Sequence, residues 1–190
     1  GDLRKAVNSL ANHLESLGVE KGDKVAVMLP NIPEFVISYF AVLKLGAVAV
    51  TLNIMSTSYE LRHLIGNSDS KVFITIAQSA KRYEEIKKEI PLCRHILLVD
   101  HEGPSSSFME AMRKGPFEFR MPPIDGDDPA VIVYTAGLTG NPLGAVLTHG
   151  NLLSQTTLFP DLFEGKPEDH GLAIIPLFHT YGATANMLGL

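Results

Sequence analysis

One cysteine, Cys93, stands in 190 residues, so the chain can form no internal disulfide and suits a reducing compartment. A small buried apolar side chain is the expected role of that thiol, since no activating partner is visible. No Cys/His cluster occurs, and His13, His63, His95, His101 and His170 show no metal-ligand spacing. Positive charge is also in short supply. Against 21 Asp+Glu stand 16 Lys+Arg, a net of −5, which argues against a nucleic-acid or anionic-membrane partner held by basic patches. No uninterrupted run reaches membrane-spanning length. The longest apolar stretch, Phe35 to Leu52, is broken by Lys44 and Gly46, and its second part is β-branched. It reads as a helix ending at Gly46 followed by a buried strand. Gly1-Asp2-Leu3-Arg4-Lys5 leads into an amphipathic helix and not into a signal peptide, so a soluble, cytoplasmic protein is expected. Three motifs are absent as well: the Walker G-x-x-x-x-G-K-[ST], the dinucleotide G-x-G-x-x-G and the hydrolase elbow G-x-S-x-G. No internal repeat or low-complexity tract occurs.

What is present is alternation. Leu3, Val7, Leu10, Leu14 and Leu17 recur at helical spacing, and Gly18 supplies a stop. Val25 to Leu29 is a continuous apolar run of the kind covered on both faces. Asn31 with Glu34 has capping-box spacing, and Pro33 suits the first turn of a helix running to Leu45. Ala47 to Leu52 follows as a strand. Thr57 and Glu60 repeat the capping spacing ahead of Leu61, Leu64 and Ile65; Val72 to Ile76 is strand-like. Lys81 to Ile90 reads as a charged surface helix stopped by Pro91, and Ile96 to Val99 as another strand. This is the pattern of a parallel or mostly parallel sheet flanked by helices, an α/β fold. With 190 residues it is one sizeable domain, burying roughly 70% of its unfolded surface. From about 101 to 129 the chain becomes loop-like, apart from a short helix over Phe108 to Lys114. It reads as an ordered surface connection, because Phe117, Phe119, Met121 and Ile124 need cover. Gly171 to Leu177 gives one more strand.

The stretch from Val131 to Asn151 organises the rest. Val131 to Tyr134 is an apolar, β-branched run suited to a buried strand. Thr135, Gly137, Thr139, Gly140, Pro142 and Gly144 follow, combining backbone freedom with short hydroxyl donors. Thr148 can cap a helix through Leu152 and Leu153. Strand, Gly/Thr loop and helix is a common arrangement for holding phosphate on backbone N–H groups. The same residues would equally make a long glycine-rich turn between two strands.

This stretch resembles the signature loop of the adenylate-forming enzymes: acyl-CoA synthetases, firefly-luciferase-like enzymes and peptide-synthetase adenylation domains. Their pattern is roughly Y-T-[ST]-G-[ST]-T-G-x-P-K-G, then T-H-x-N. Tyr134, Thr135, Gly137, Thr139, Gly140, Pro142, Gly144, Thr148, His149 and Asn151 fit it. Ala136 and Leu138 replace hydroxyl residues, and Leu143 sits where lysine is expected. The likeness extends over the whole chain, through Gly18 to Ala26, Leu29 to Phe35, Gly46-Ala47-Val48 and Glu60-Leu61. Pro176-Leu177-Phe178-His179 with Gly182 resembles the acyl-pocket segment of fatty-acyl and aryl CoA ligases.

The resemblance implies an ATP-dependent, AMP-forming carboxylic acid:CoA ligase, using ATP, magnesium and coenzyme A. It implies a phosphate loop over 134–144, with Thr135, Ala136, Gly137, Leu138, Thr139, Gly140, Asn141, Pro142, Leu143 and Gly144 facing the nucleotide. His179, Tyr181 and Gly182 would face the acid. On the residues alone, His179 is more simply a histidine hydrogen-bonded at a strand end. His149 would anchor the loop-to-helix junction. Residues 1–190 correspond to the first part of the family's large domain, so the later acidic ribose ligand, the hinge and the C-terminal domain with its lysine are missing. A fragment without turnover of its own is therefore expected, prone to self-association through an uncovered apolar face. A catalytically degenerate nucleotide-binding or scaffold module is the alternative, motivated by Ala136, Leu138 and Leu143.

Overall fold

The structure, a computed structural model, describes residues 1–100, 107–135, 142–158 and 170–189. Six strands form one sheet in the order β4-β3-β1-β2-β5-β6. They are β1 Lys24–Met28, β2 Val48–Thr51, β3 Ser70–Thr75, β4 His95–Leu98, β5 Pro129–Thr135 and β6 Leu143–Thr148. The first five run parallel and β6 is antiparallel to β5, which bears out a mostly parallel α/β sheet. Helices α1 Asp2–Ser16, α2 Pro33–Lys44 and α5 Ser107–Lys114 cover one face; α3 Ser58–Asn67 and α4 Ala77–Ile86 cover the other.

The continuous apolar strands are explained by that double cover. In β1, Val25 and Val27 join the core under α1 and α2, while Ala26 and Met28 join the core under α3 and α4. In β5 the division is Val131 and Val133 against Ile132. Strand alternation therefore feeds two cores at once. Gly18 and Gly46 take positive φ of 82° and 76° after their helices, as helix-stopping glycines do. The Thr57–Glu60 capping box forms on α3, with Glu60 N donating to Thr57 Oγ1 and Thr57 N donating to Glu60 Oε2.

Three expectations are corrected. Asn31 does not cap α2, whose N-cap is Ile32 without a side-chain bond; its amide is spent on a distant segment, described below. Helix α4 starts four residues before Lys81, where the Asp100 carboxylate, two residues past β4, accepts from Ala77 N at 2.7 Å, and it ends at Ile86. Residues 171–177 form no strand among the described residues. Of the connection expected over about 101–129, residues 101–106 lie outside the described residues and α5 takes 107–114, while 115–128 are exposed or half-buried. Asn8 and Asn12 donate to the Phe117 and Glu118 carbonyls, each at 2.8 Å, and Lys21 pairs with Asp128 at 2.7 Å. Phe119 packs on the core there, but Phe117 and Met121 stay exposed.

Candidate functional site

The signature stretch folds as a hairpin. β5 ends at Thr135 and β6 begins at Leu143, and these two residues form the last ladder pair. The Thr135 hydroxyl donates to Leu143 O at 3.4 Å. Ala136, Gly137, Leu138, Thr139, Gly140 and Asn141 lie outside the described residues; Thr135, Pro142, Leu143 and Gly144 form the stem on either side. Gly144 is needed for a close approach: a Cβ there would meet Ile132 Cγ2 at 2.9 Å and the Tyr134 ring at 3.3 Å. Leu143, at the position expected for lysine, is 65% exposed.

Strand, loop and helix do not combine as expected. α6, His149–Thr156, begins at the far end of β6, roughly 17 Å from the stem at about 3.4 Å per residue. The Thr148–Asn151 capping box closes its first turn, Asn151 N donating to Thr148 Oγ1 and Thr148 N to Asn151 Oδ1. The helix N-terminus and the stem thus stand at opposite ends of β6. At this junction the main chain is tied down: the backbone N–H of His149 donates to Asp128 O at 3.1 Å, and Gly150 N donates to Gly126 O at 2.7 Å. Burial holds the His149 imidazole below its usual range, partly offset by Asp128, and its Nε2 has no partner.

The stem stands on α3. His63 Nε2 donates to the Pro142 carbonyl at 3.1 Å, and the Tyr134 hydroxyl is 3.1 Å from Leu64 O and 2.8 Å from Asn67 Oδ1. The His63 and Tyr134 rings meet edge to face, centroids 6.4 Å apart at 66°. Burial pushes the Tyr134 phenol above its ordinary range, so it serves as a neutral donor. Sequence reading missed both contacts; the histidine was one among scattered histidines.

The Pro176–Gly182 segment reaches the same end of the sheet. Thr51, the last residue of β2, pairs with Val133, two residues before the loop, and its hydroxyl donates to Phe178 O at 2.7 Å. Asn31, after β1, holds the approach: Nδ2 donates to Ala173 O and Ile175 O, both at 3.0 Å, and Leu177 N donates to Oδ1 at 2.9 Å. One side chain thus occupies the polar groups that a neighbouring strand would take. Leu172 and Ile174 remain 80% and 75% exposed. His179 is exposed and caps the short helix α7, Thr180–Ala183, its Nδ1 accepting from Tyr181 N at 3.3 Å. Tyr181 is also exposed, and Gly182 is buried against the Pro176 backbone, where a Cβ would collide with the carbonyl. The stem and this segment thus both lie at the carboxyl ends of the parallel strands, where open α/β sheets bind ligands.

Among the described residues, no group of three His, Cys, Asp or Glu side chains could hold a metal ion. Cys93 is buried, and burial pushes its thiol up to about 12, which fits a packing role. No helix among the described residues is long and apolar enough to cross a membrane; the Phe35–Leu52 stretch is divided between α2 and β2.

The AMP-binding enzyme family matches residues 1–190. The crotonobetaine/carnitine–CoA ligase of Escherichia fergusonii is 35% identical over 184 residues, covering 94% of this chain and 36% of the relative. The anthranilate CoA ligase AuaEII, solved with anthranoyl-AMP, superposes with a TM-score of 0.92 at 26% identity, over 98% of this chain and 37% of that one. ATP-bound MatB from Rhodopseudomonas palustris gives a TM-score of 0.86 at 28% identity, over 98% and 37%. The chain therefore spans little more than a third of the length of these proteins. A match over all of residues 1–190 makes this chain a member of the AMP-binding enzyme family.

Proposed function

We propose that these residues are the nucleotide-loop portion of an ATP-dependent, AMP-forming carboxylic acid:CoA ligase. The observation that carries the reading is that the hairpin stem and the Pro176–Gly182 segment share one end of the sheet, the carboxyl ends of the parallel strands. Likeness to ATP-bound MatB and to an anthranilate CoA ligase solved with anthranoyl-AMP supports it. In the first half-reaction a carboxylate oxygen attacks the α-phosphorus and pyrophosphate leaves. In the second, the thiol of coenzyme A, losing its proton, attacks the acyl carbonyl and AMP leaves. Both steps depend chiefly on positioning and on stabilising phosphate charge. Thr135, the loop amides and Gly144 would hold the β- and γ-phosphates; His179 and Tyr181 would border the acid. Magnesium fits as part of the metal–ATP substrate, on phosphate oxygens.

ATP–pyrophosphate exchange tests this. The longer ligase that contains this chain should exchange with at least one member of a broad carboxylic acid panel, and silence across the panel overturns the assignment. The 190-residue protein alone should bind ATP weakly and show no exchange; an acyl-adenylate formed by the purified chain would refute that. A second reading, a degenerate nucleotide-binding or scaffold module, draws on the exposed Leu143. Exposed Leu143, Val146, Leu153, Leu172 and Ile174 also support self-association of the isolated chain. A strictly monomeric sedimentation profile at high concentration counts against it.

A further inference from the structure

Both sides of the loop stem are held by one helix. On the returning side α3 donates from His63 Nε2 to Pro142 O at 3.1 Å; on the outgoing side the Tyr134 hydroxyl reaches back to Leu64 O and Asn67 Oδ1. The edge-to-face contact between the His63 and Tyr134 rings joins these ties into a bridge across the stem. Pro142 lies one residue beyond the last ladder pair and has no N–H, so it can take part only as an acceptor. α3 supplies the donor that the strands cannot. The helix is itself well fixed. Leu61, Leu64 and Ile65 are buried, and Ser58 and Arg62 bond Glu85 and Glu89 of the α4 region at 2.5 and 2.9 Å.

We propose that His63 is a positioning residue for the returning side of the stem, Pro142 to Gly144. By donating to Pro142 O it fixes where the returning strand leaves α3, and so where the Leu143 and Gly144 amides point. The consequence for nucleotide rests on the function proposed above; the bridge itself does not. The chemistry required is a donor at Nε2, present in the imidazolium and in the neutral tautomer protonated there. A carboxamide of similar reach can replace it. An aliphatic side chain cannot.

The test compares His63→Gln, His63→Leu and Tyr134→Phe with the unchanged 190-residue protein. Three quantities are measured: hydrogen–deuterium exchange over residues 142–148, the dissociation constant for a fluorescent ATP analogue, and the urea midpoint. Exchange in His63→Leu and Tyr134→Phe should rise roughly fivefold, the factor expected of one net hydrogen bond. His63→Gln should stay near the unchanged protein, and ATP affinity should follow the same order. Unaltered exchange in His63→Leu overturns the proposal. So does a uniform rise over all peptides with a falling urea midpoint, because that marks a merely structural histidine. If exchange responds as expected but the unchanged protein binds no ATP, the bridge stands and the nucleotide function fails. If ATP binds and the variants bind it equally well, the positioning role is lost.

Discussion

Placing a lysine at position 143 separates charge from packing at the loop. Leu143 opens β6 and is 65% exposed, leaving about a third of its surface covered. Full burial of a leucine contributes about 1.5–3 kcal/mol. The covered third therefore sets a loss of at most about 1 kcal/mol for Leu143→Lys, and the fold survives. A charge-assisted hydrogen bond to phosphate contributes about 1.5–3 kcal/mol. That corresponds to a roughly ten- to hundredfold tighter ATP dissociation constant. Because the position is open to water, the lower end is expected, and the gain should shrink as salt is raised. Titration of a fluorescent ATP analogue at low and high salt measures it, with urea denaturation confirming the fold. AMP, which lacks the β- and γ-phosphates, should gain little. A folded Leu143→Lys protein with unchanged ATP affinity would refute the loss-of-charge account, and an equal gain for AMP would place the lysine elsewhere than at the outer phosphates.

Gly144→Ala should lower stability by about 1–3 kcal/mol, as overpacking against Ile132 and Tyr134 requires; a urea curve identical to that of the unchanged protein would contradict the stem geometry. Asn31→Ala removes three hydrogen bonds to residues 173–177 and strands the N–H of buried Leu177. It should cost about 1–3 kcal/mol locally, read as faster amide exchange over 172–178, and unchanged exchange there would show that another contact holds the segment. Burial holds His13 and His149 below the ordinary histidine range, and neither Nε2 has a partner. The unfolded chain therefore binds more protons as pH falls through about 6.5, so stability present above that value is lost on acidification. His13→Gln should flatten the slope of unfolding free energy between neutral and mildly acidic pH; an unaltered slope would assign it to other groups.

Much of the fold was legible because its determinants are local. The α1 stripe, the glycine after each of the first two helices and the Thr57–Glu60 box each involve residues within a turn or two of one another. The strands were legible as unbroken apolar runs because both of their faces are covered. Asn31 was misread for the opposite reason: its spacing from Glu34 suggests a cap, yet its amide serves carbonyls more than 140 positions away. The start of α4 was misplaced because its cap, Asp100, arrives from 23 residues downstream. The run at 171–177 looks like a strand on composition, but a strand needs a partner, and a side chain takes that place.

By itself the sequence determined the α/β class, the two-faced core and the family, through hydrophobic period and short motifs that depend on near neighbours. Only the tertiary structure decided that the strands flanking the glycine stretch pair antiparallel, with the following helix at the other end of β6. It also decided that the stem leans on His63 and Tyr134, and that Asn31 ties down the segment leading to His179. Those choices rest on hydrogen bonds between residues far apart in the chain, and no local pattern records which of several available donors will meet a given carbonyl.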